Sequence, residues 1–316
     1  TSAATAAIWV SSNGAGAGST NNVIRNLEIA CGADQSAVNV ATFGIIMNGA
    51  TISTTANGDD NDNNQFLFNR IVRARYGIVT RGVTTNLNIA PVVSDNIIGP
   101  AAFGSDQIGK VGIFMQADTG ATVARNVVQF VGCLDPQACT GADRVGIAIG
   151  TESWSMAPGT ITSNSYTVTR NVIHDVIEET TFSGVGLLLG TTGGGVATNN
   201  LVANNFIYNV RANGTSGDQA VGLGISGGHT DVVVNNSIAM TGDVDPGVAG
   251  ASTNFGSGIR IANASSASHA NLTLRNNSVY MDLSSSSTAA NRFYAVSGNA
   301  AGYAFGTGGE NFNNYY

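Results

Sequence analysis

The sequence predicts an all-β fold, a solenoid of about nine stacked coils, and three observations carry the prediction. A small residue followed by an aliphatic run recurs along the chain. The copies are Ala7-Ile8-Trp9-Val10, Gly44-Ile45-Ile46-Met47, Gly77-Ile78-Val79-Thr80, Gly112-Ile113-Phe114-Met115 and Gly146-Ile147-Ala148-Ile149, then Gly186-Leu187-Leu188-Leu189, Gly222-Leu223-Gly224-Ile225, Gly258-Ile259-Arg260-Ile261 and Ala295-Val296-Ser297-Gly298. Neighbouring copies start 33 to 40 residues apart, a period that marks a repeat array. A second motif, aliphatic-x-x-Asn-x-aliphatic, sits between the copies. It runs from Phe66…Asn69…Ile71 through Val93…Asn96…Ile98, Val123…Asn126…Val128 and Val168…Asn171…Ile173 to Val202…Asn205…Ile207, Val233…Asn236…Ile238 and Leu274…Asn277…Val279. Finally, no stretch keeps apolar residues at helical spacing over twelve or more positions, and 41 of the 316 residues are Gly.

Each unit therefore carries two short strands, one led by Gly and one centred on Asn. In the Gly-led strand the first and third residues after the Gly share a face, because side chains alternate along a strand. Those residues are aliphatic in nearly every copy, so that face is the core. The residue between them points outward, giving the row Trp9, Ile46, Val79, Phe114, Ala148, Leu188, Gly224, Arg260 and Ser297. Its apolar first half is a candidate docking face for a neighbouring chain or a glycan, unless long connections fold over it. The repeated Asn suits an inward corner, where stacked amides hydrogen-bond along the axis. Ala in the first and last copies indicates that the Gly answers tight packing rather than a positive φ. An earlier, looser copy of the Asn motif reads Val23…Asn26, with Glu28 in the last aliphatic place. Stacking at about 4.8 Å per coil gives a rod on the order of 40 Å long.

The paired Asn-x-Ile and Gly-Ile-x-Ile motifs resemble right-handed parallel β-helix repeat proteins of the pectate-lyase-like superfamily. The stretch Gly58-Asp59-Asp60-Asn61-Asp62-Asn63-Asn64, followed by Asn69-Arg70-Ile71-Val72 and Tyr76-Gly77-Ile78-Val79, resembles the subset found in large secreted or surface-attached bacterial proteins. The resemblance spans essentially the whole chain. It implies the fold and leaves the activity open, since one scaffold hosts many functions. Pectate-lyase-like catalysis implies aspartates on one strand face for calcium, with an Arg or Lys base. No coil pair here presents such an Asp ladder on an outward strand position. Arg25, Arg125, Arg170 and Arg275 lie at comparable places beside the Asn-centred strands, a candidate basic stripe or solubilising charges.

Composition bounds the function further. Charged residues are 10%, the net charge is −7, and Lys110 is the single lysine. Such a chain has no basic patch to neutralise phosphates, which argues against nucleic-acid binding. No apolar run approaches the length of a membrane span. The expectation is one β-helix domain over residues 1–316, a section of a longer chain, placed outside the cell or on its surface. Cys133 and Cys139 flank a turn-rich loop, and a disulfide there would suit an oxidising compartment. Cys31 reads as a small buried residue.

Two acidic segments are candidates for chemistry. Asp59, Asp60 and Asp62 offer hard oxygen ligands at a density that could hold calcium, or they make Asx turns. His174, Asp175, Glu178 and Glu179 follow one Asn-centred strand. They read as a solvated loop unless a cross-coil carboxylate such as Asp143 or Asp218 joins them, since glycan cleavage needs two carboxyl groups within reach of one bond. On these grounds no catalytic, cofactor or metal residue is assigned, and calcium stays a minor possibility. The leading expectation is a structural or adhesive β-helix section without catalysis, with neighbouring chains or surface glycans as partners. The alternative is a polysaccharide lyase or glycoside hydrolase acting on an extracellular glycan.

Overall fold

The computed structural model describes residues 4–31, 41–133, 141–155, 157–180, 182–192, 196–214, 218–245, 253–262, 271–286, 290–298, 305–311 and 313–316. The Cys133–Cys139 pairing falls outside them. The protein is a parallel β-helix. Its nine Gly-led strands are Thr5–Ser11, Thr42–Asn48, Ala74–Arg81, Ile108–Gln116, Arg144–Ile149, Gly184–Leu189, Ala220–Ile225, Thr253–Ile261 and Ala290–Gly298. Each pairs in parallel with the next in one continuous ladder.

The coil has three strands where the sequence suggests two. The Asn-centred segment bends just before its Asn, at residues with positive φ such as Phe68 (54°), Asp95 (60°), Arg125 (55°), Arg170 (58°) and Asn204 (57°). The part before the bend forms its own ladder of nine strands, including Gln65–Leu67, Val92–Ser94 and Thr167–Thr169. The part after it forms a further ladder, including Val127–Cys133 and Val172–Glu178. The apparent Asn motif of the first coil reads one residue early. Ile24 pairs with Phe66 and Ile29 with Ile71, so Asn26 (φ 56°) is the bend and Leu27 takes the Asn place. The arginines also divide: Arg125 and Arg170 sit at the bend, whereas Arg25 and Arg275 end the strand before it.

The Asn residues form one uninterrupted amide chain. Nδ2 of Asn69, Asn96, Asn126, Asn171, Asn205, Asn236 and Asn277 each donates to Oδ1 of the Asn one coil on, at 2.9–3.1 Å, ending on Asn313. The same Oδ1 accepts the backbone N–H of the preceding Asn, as Asn171 Oδ1 does from Asn126 N at 3.0 Å. Every donor and acceptor at a corner that water cannot reach is thereby satisfied. The Gly of the motif has a steric cause. A Cβ on Gly44, Gly77, Gly112, Gly146, Gly186, Gly222 or Gly258 would come within 2.2–2.6 Å of an Ile or Val methyl across the coil. None of these seven glycines has a positive φ.

Between the three ladders lies one core in which Ile45, Ile78, Ile113, Ile147, Leu187, Leu223 and Ile259 are fully buried. A second apolar layer covers the outside of the Gly-led ladder. Ile46, Val79, Ala148 and Leu188 have no exposure and Phe114 has 2%, so this part of the row is closed off, whereas Trp9 at its start is 41% exposed. Trp154 forms part of the cover. Its ring fills the place where a Cβ of Gly224 would lie, 2.5 Å from Cζ3, which accounts for the glycine in that row.

The interior also holds a carboxylate. Asp118 is fully buried and accepts from Thr80 Oγ1 (2.5 Å), Asn88 Nδ2 (3.0 Å) and Tyr166 Oη (3.0 Å). Burial pushes its carboxyl up to about 6 against the pull of those bonds. A folded value above the unfolded one gives stability that is full below the unfolded value, about 4, and lost as pH rises through about 6. Denaturant midpoints are expected to fall from pH 4 to pH 7, with Asp118 accounting for a few kcal/mol. Asp118→Asn is expected to flatten that slope, and an unchanged slope would show that Asp118 is not its source.

Candidate functional site

Three successive coils place polar residues at one level, just before their Gly-led strands. Asp143, Ser183 and Gln219 each lie three residues before the Gly of their motif, and Asp218 precedes Gln219. Asp143 Oδ1 accepts Ser183 N at 2.9 Å, and Asp143 Oδ2 accepts Trp154 N at 2.8 Å. Ser183 Oγ donates to Asp218 Oδ1 at 3.2 Å and accepts Gln219 N at 3.1 Å. One serine thus bridges two carboxylates from different coils, which holds them within roughly 10 Å of each other given the span of a single residue.

Their environments differ. Burial raises the Asp143 carboxyl, and Asp218 pushes the same way, but two backbone N–H groups and Lys110 favour its charged form. Burial also raises Asp218, whose opposing influence is the Ser183 hydroxyl. Asp143 is buried and Asp218 is half-exposed.

Beside this pair, Lys110 Nζ lies 3.1 Å from Glu152 Oε1 and donates to Tyr76 Oη at 3.1 Å. The Tyr76 ring stacks on Phe43 at 4.9 Å, and burial, with Glu152 adding, raises its hydroxyl. On the other side opens a cleft of about 460 Å³. Gln219, Ser257, Arg260, Ser297 and the rings of Phe255 and Tyr294 line it. Arg260 Nη1 donates to Ser297 Oγ at 3.0 Å. Gln219 belongs to both the cleft and the bridge.

The acidic segments named from sequence are split up. Glu178 is not in a solvated loop. It is fully buried and pairs with Arg144 at 3.0 Å, both side chains at or below 1% exposure. Burial raises Glu178 and Arg144 opposes the shift. The Asp143 charge also acts on Glu178, but Glu178 itself is fully buried. Glu179 is half-buried, raised by burial and opposed by Arg211. His174 and Asp175 lie on the outside of a different ladder. There His174 Nδ1 meets Asp175 Oδ2 at 2.5 Å, Nε2 meets Gln129 Oε1 at 3.1 Å, and the imidazole stacks on Tyr208 at 4.6 Å.

Asp59, Asp60 and Asp62 are turned to N–H donors. Asn86 Nδ2 reaches Asp59 and Asp60, Gly16 N reaches Asp60, and Ile89 N reaches Asp62 at 2.7 Å. Among the described residues no three Asp, Glu, His or Cys side chains converge as a metal set would. Cys31 is buried, its Sγ 3.0 Å from the Phe43 carbonyl, and burial raises its thiol.

Sequence reading named Asp143 and Asp218 only as partners for the wrong segment, and it missed Ser183, Trp154, Glu152, Gln219 and the cleft. Aligning the residues three before each motif Gly would have placed Asp143, Ser183 and Gln219 in one row.

No family model matches the chain, and no curated protein does. Solved structures do. A periplasmic alginate epimerase matches at 12% identity and TM-score 0.46, over 93% of this chain and 58% of that one. DFA-IIIase from Arthrobacter chlorophenolicus matches at 17% identity and TM-score 0.46, over 94% and 66%. The A-module of a mannuronan C-5 epimerase from Azotobacter vinelandii matches at 14% identity and TM-score 0.40, over 90% and 72%. The chain thus spans about three-fifths of the first of these. The expectation of a structural or adhesive section without catalysis is corrected here. The similar structures are carbohydrate enzymes, which agrees with the alternative rather than the leading expectation, and Asp143 and Asp218 from different coils meet at Ser183. The protein is a parallel β-helix, consistent with the pectate-lyase-like fold that its repeats resemble.

Proposed function

We propose that this protein hydrolyses an extracellular glycan, with Asp143 and Asp218 as its carboxyl pair. The observation that carries the reading is the Ser183 bridge, which fixes two carboxylates of unlike environment beside a cleft with aromatic and polar walls. Two such carboxyl groups are the working parts of glycoside hydrolysis. Asp218, half-exposed and with a single hydroxyl donor, is the acid that protonates the glycosidic oxygen as its bond to the anomeric carbon breaks. Asp143, whose carboxyl burial raises while two backbone N–H groups and Lys110 oppose the shift, is the base that takes a proton from the attacking water. Phe255 and Tyr294 offer ring faces to sugars, and Gln219, Ser257 and Arg260 offer hydrogen bonds to hydroxyls.

The test is release of reducing ends from a panel of neutral and acidic extracellular polysaccharides. The wild type is expected to act on at least one. Asp218→Asn and Asp143→Asn are each expected to lower kcat by about 100-fold or more, while both melt cooperatively. No release from any polymer, or variants as active as the wild type, would overturn the reading. Products with unsaturated ends would show elimination in place of hydrolysis and overturn it equally.

A further inference from the structure

A second corner of the coil, one residue before each of the first seven strands of the ladder that precedes the bend, is occupied in turn by Asn22, Asn64, Pro91, Ala121, Tyr166, Asn200 and Asp231. Where two Asn are adjacent, the amide pattern of the main Asn chain is reproduced. Asn22 N and Nδ2 both donate to Asn64 Oδ1, at 3.0 and 2.9 Å, and Asn64 Nδ2 donates to the Ser19 carbonyl at 2.6 Å. The last pair repeats half of this. Asn200 N donates to Asp231 Oδ1 at 2.8 Å, and Thr198 Oγ1 adds a bond at 2.7 Å.

Asp231 then departs from the pattern, because an oxygen stands where an Asn has its donor nitrogen. Asp231 is 2% exposed, and its Oδ2 has no hydrogen-bond partner. The Asn200 side-chain amide faces the same carboxylate, and no Arg or Lys acts on it. A second observation points to the same place. Thr191 is fully buried and its Oγ1 also lacks a partner. A Cβ built on Gly228 (φ 112°) would lie 1.8 Å from Asp231 Oδ2 and 3.3 Å from Thr191 Oγ1, so both oxygens border one point. They are then no more than about 5 Å apart, the span of two bonds from a hard cation to oxygen.

Burial raises the Asp231 carboxyl to about 7, so above that pH it carries a buried charge; buried charges are paired or bound to a cation, and among neutral oxygens a single positive charge balances this one. We infer that Asp231 Oδ2 and Thr191 Oγ1 bind a hard monovalent cation inside the coil.

Thermal melting of the whole protein in sodium, potassium, calcium and choline chloride at matched ionic strength, at a pH about two units above the raised Asp231 value, tests this. Sodium or potassium is expected to raise the melting temperature by several degrees over choline. Asp231→Asn is expected to abolish the difference and Thr191→Val to reduce it. Melting that is equal in all salts overturns the inference, as does an unchanged salt response in Asp231→Asn or a response to calcium alone. If Asp231→Asn does not fold, Thr191→Val decides, since it removes one hydroxyl and keeps the shape. Glycan hydrolysis is not part of the readout, so this inference and the proposed function fail separately.

Discussion

Asn171→Ala is expected to destabilise the protein by on the order of 3–6 kcal/mol, with a fall in melting temperature on the order of 10 °C. The Asn171 side chain makes four hydrogen bonds at a corner that is 1% exposed. Its Oδ1 accepts Asn126 N and Asn126 Nδ2, and its Nδ2 donates to the Val123 carbonyl and to Asn205 Oδ1. Alanine leaves the Asn126 N–H without an acceptor and the Val123 carbonyl without this donor. A buried orphan of that kind costs about 1–3 kcal/mol, more than the net gain of an ordinary bond. Asn171→Asp is expected to lose at least as much, because it keeps the acceptor, removes both donors and adds a charge beside two acceptors. Asn204→Gly is the informative contrast. Asn204 precedes a ladder Asn but is exposed at the left-handed bend, φ 57°, which Gly adopts readily. Its expected change is within about 1 kcal/mol. Equal, small losses for Asn171→Ala and Asn204→Gly would mean that the amide chain contributes little.

Arg144→Met is expected to destabilise by about 3–5 kcal/mol, and the double variant Arg144→Met, Glu178→Met to recover most of that loss. The single variant leaves the Glu178 carboxylate buried against Asp143 with its main cation gone. Backbone and hydroxyl bonds from Thr180 remain on Glu178 Oε1 and do not balance the charge. Removing both partners eliminates the buried charge instead of orphaning it, which is why the double variant is the milder one. Chemical denaturation of the four proteins of this cycle is the measurement. A single variant within 1 kcal/mol of wild type, or a double variant worse than the single, would show that the pair is not held as described.

These two sites show how far the sequence could be read. The Asn chain and the Gly-led core were legible because each rests on one residue type at one place in every coil. The split of the Asn-centred strand was not, because Phe68, Asp95, Arg125 and Asn204 all serve at the bend and share no chemistry. Glu178 was misread as solvated because its partner, Arg144, reaches it from the preceding coil. The site was hidden for the same reason. Asp143, Ser183 and Asp218 come from three coils of unequal length, and only the strand register brings them level. The apolar outward row of the Gly-led strands was visible in sequence, but its cover by Trp154 was not, although Gly224 in that row marks where the ring sits.

The central claim is that glycan chemistry takes place on the outer face of the Gly-led ladder, at the Asp143–Ser183–Asp218 bridge. Hydrogen exchange with a cleaved glycan added to Asp218→Asn, which binds without turnover, tests it most directly. Slowed exchange is predicted at the Ser183, Trp154 and Gln219 amides, which touch the bridge, and along 255–260 beside the cleft. Protection confined to 172–178 and 206–212, around His174 and Tyr208, would place the glycan on a different ladder and contradict the account.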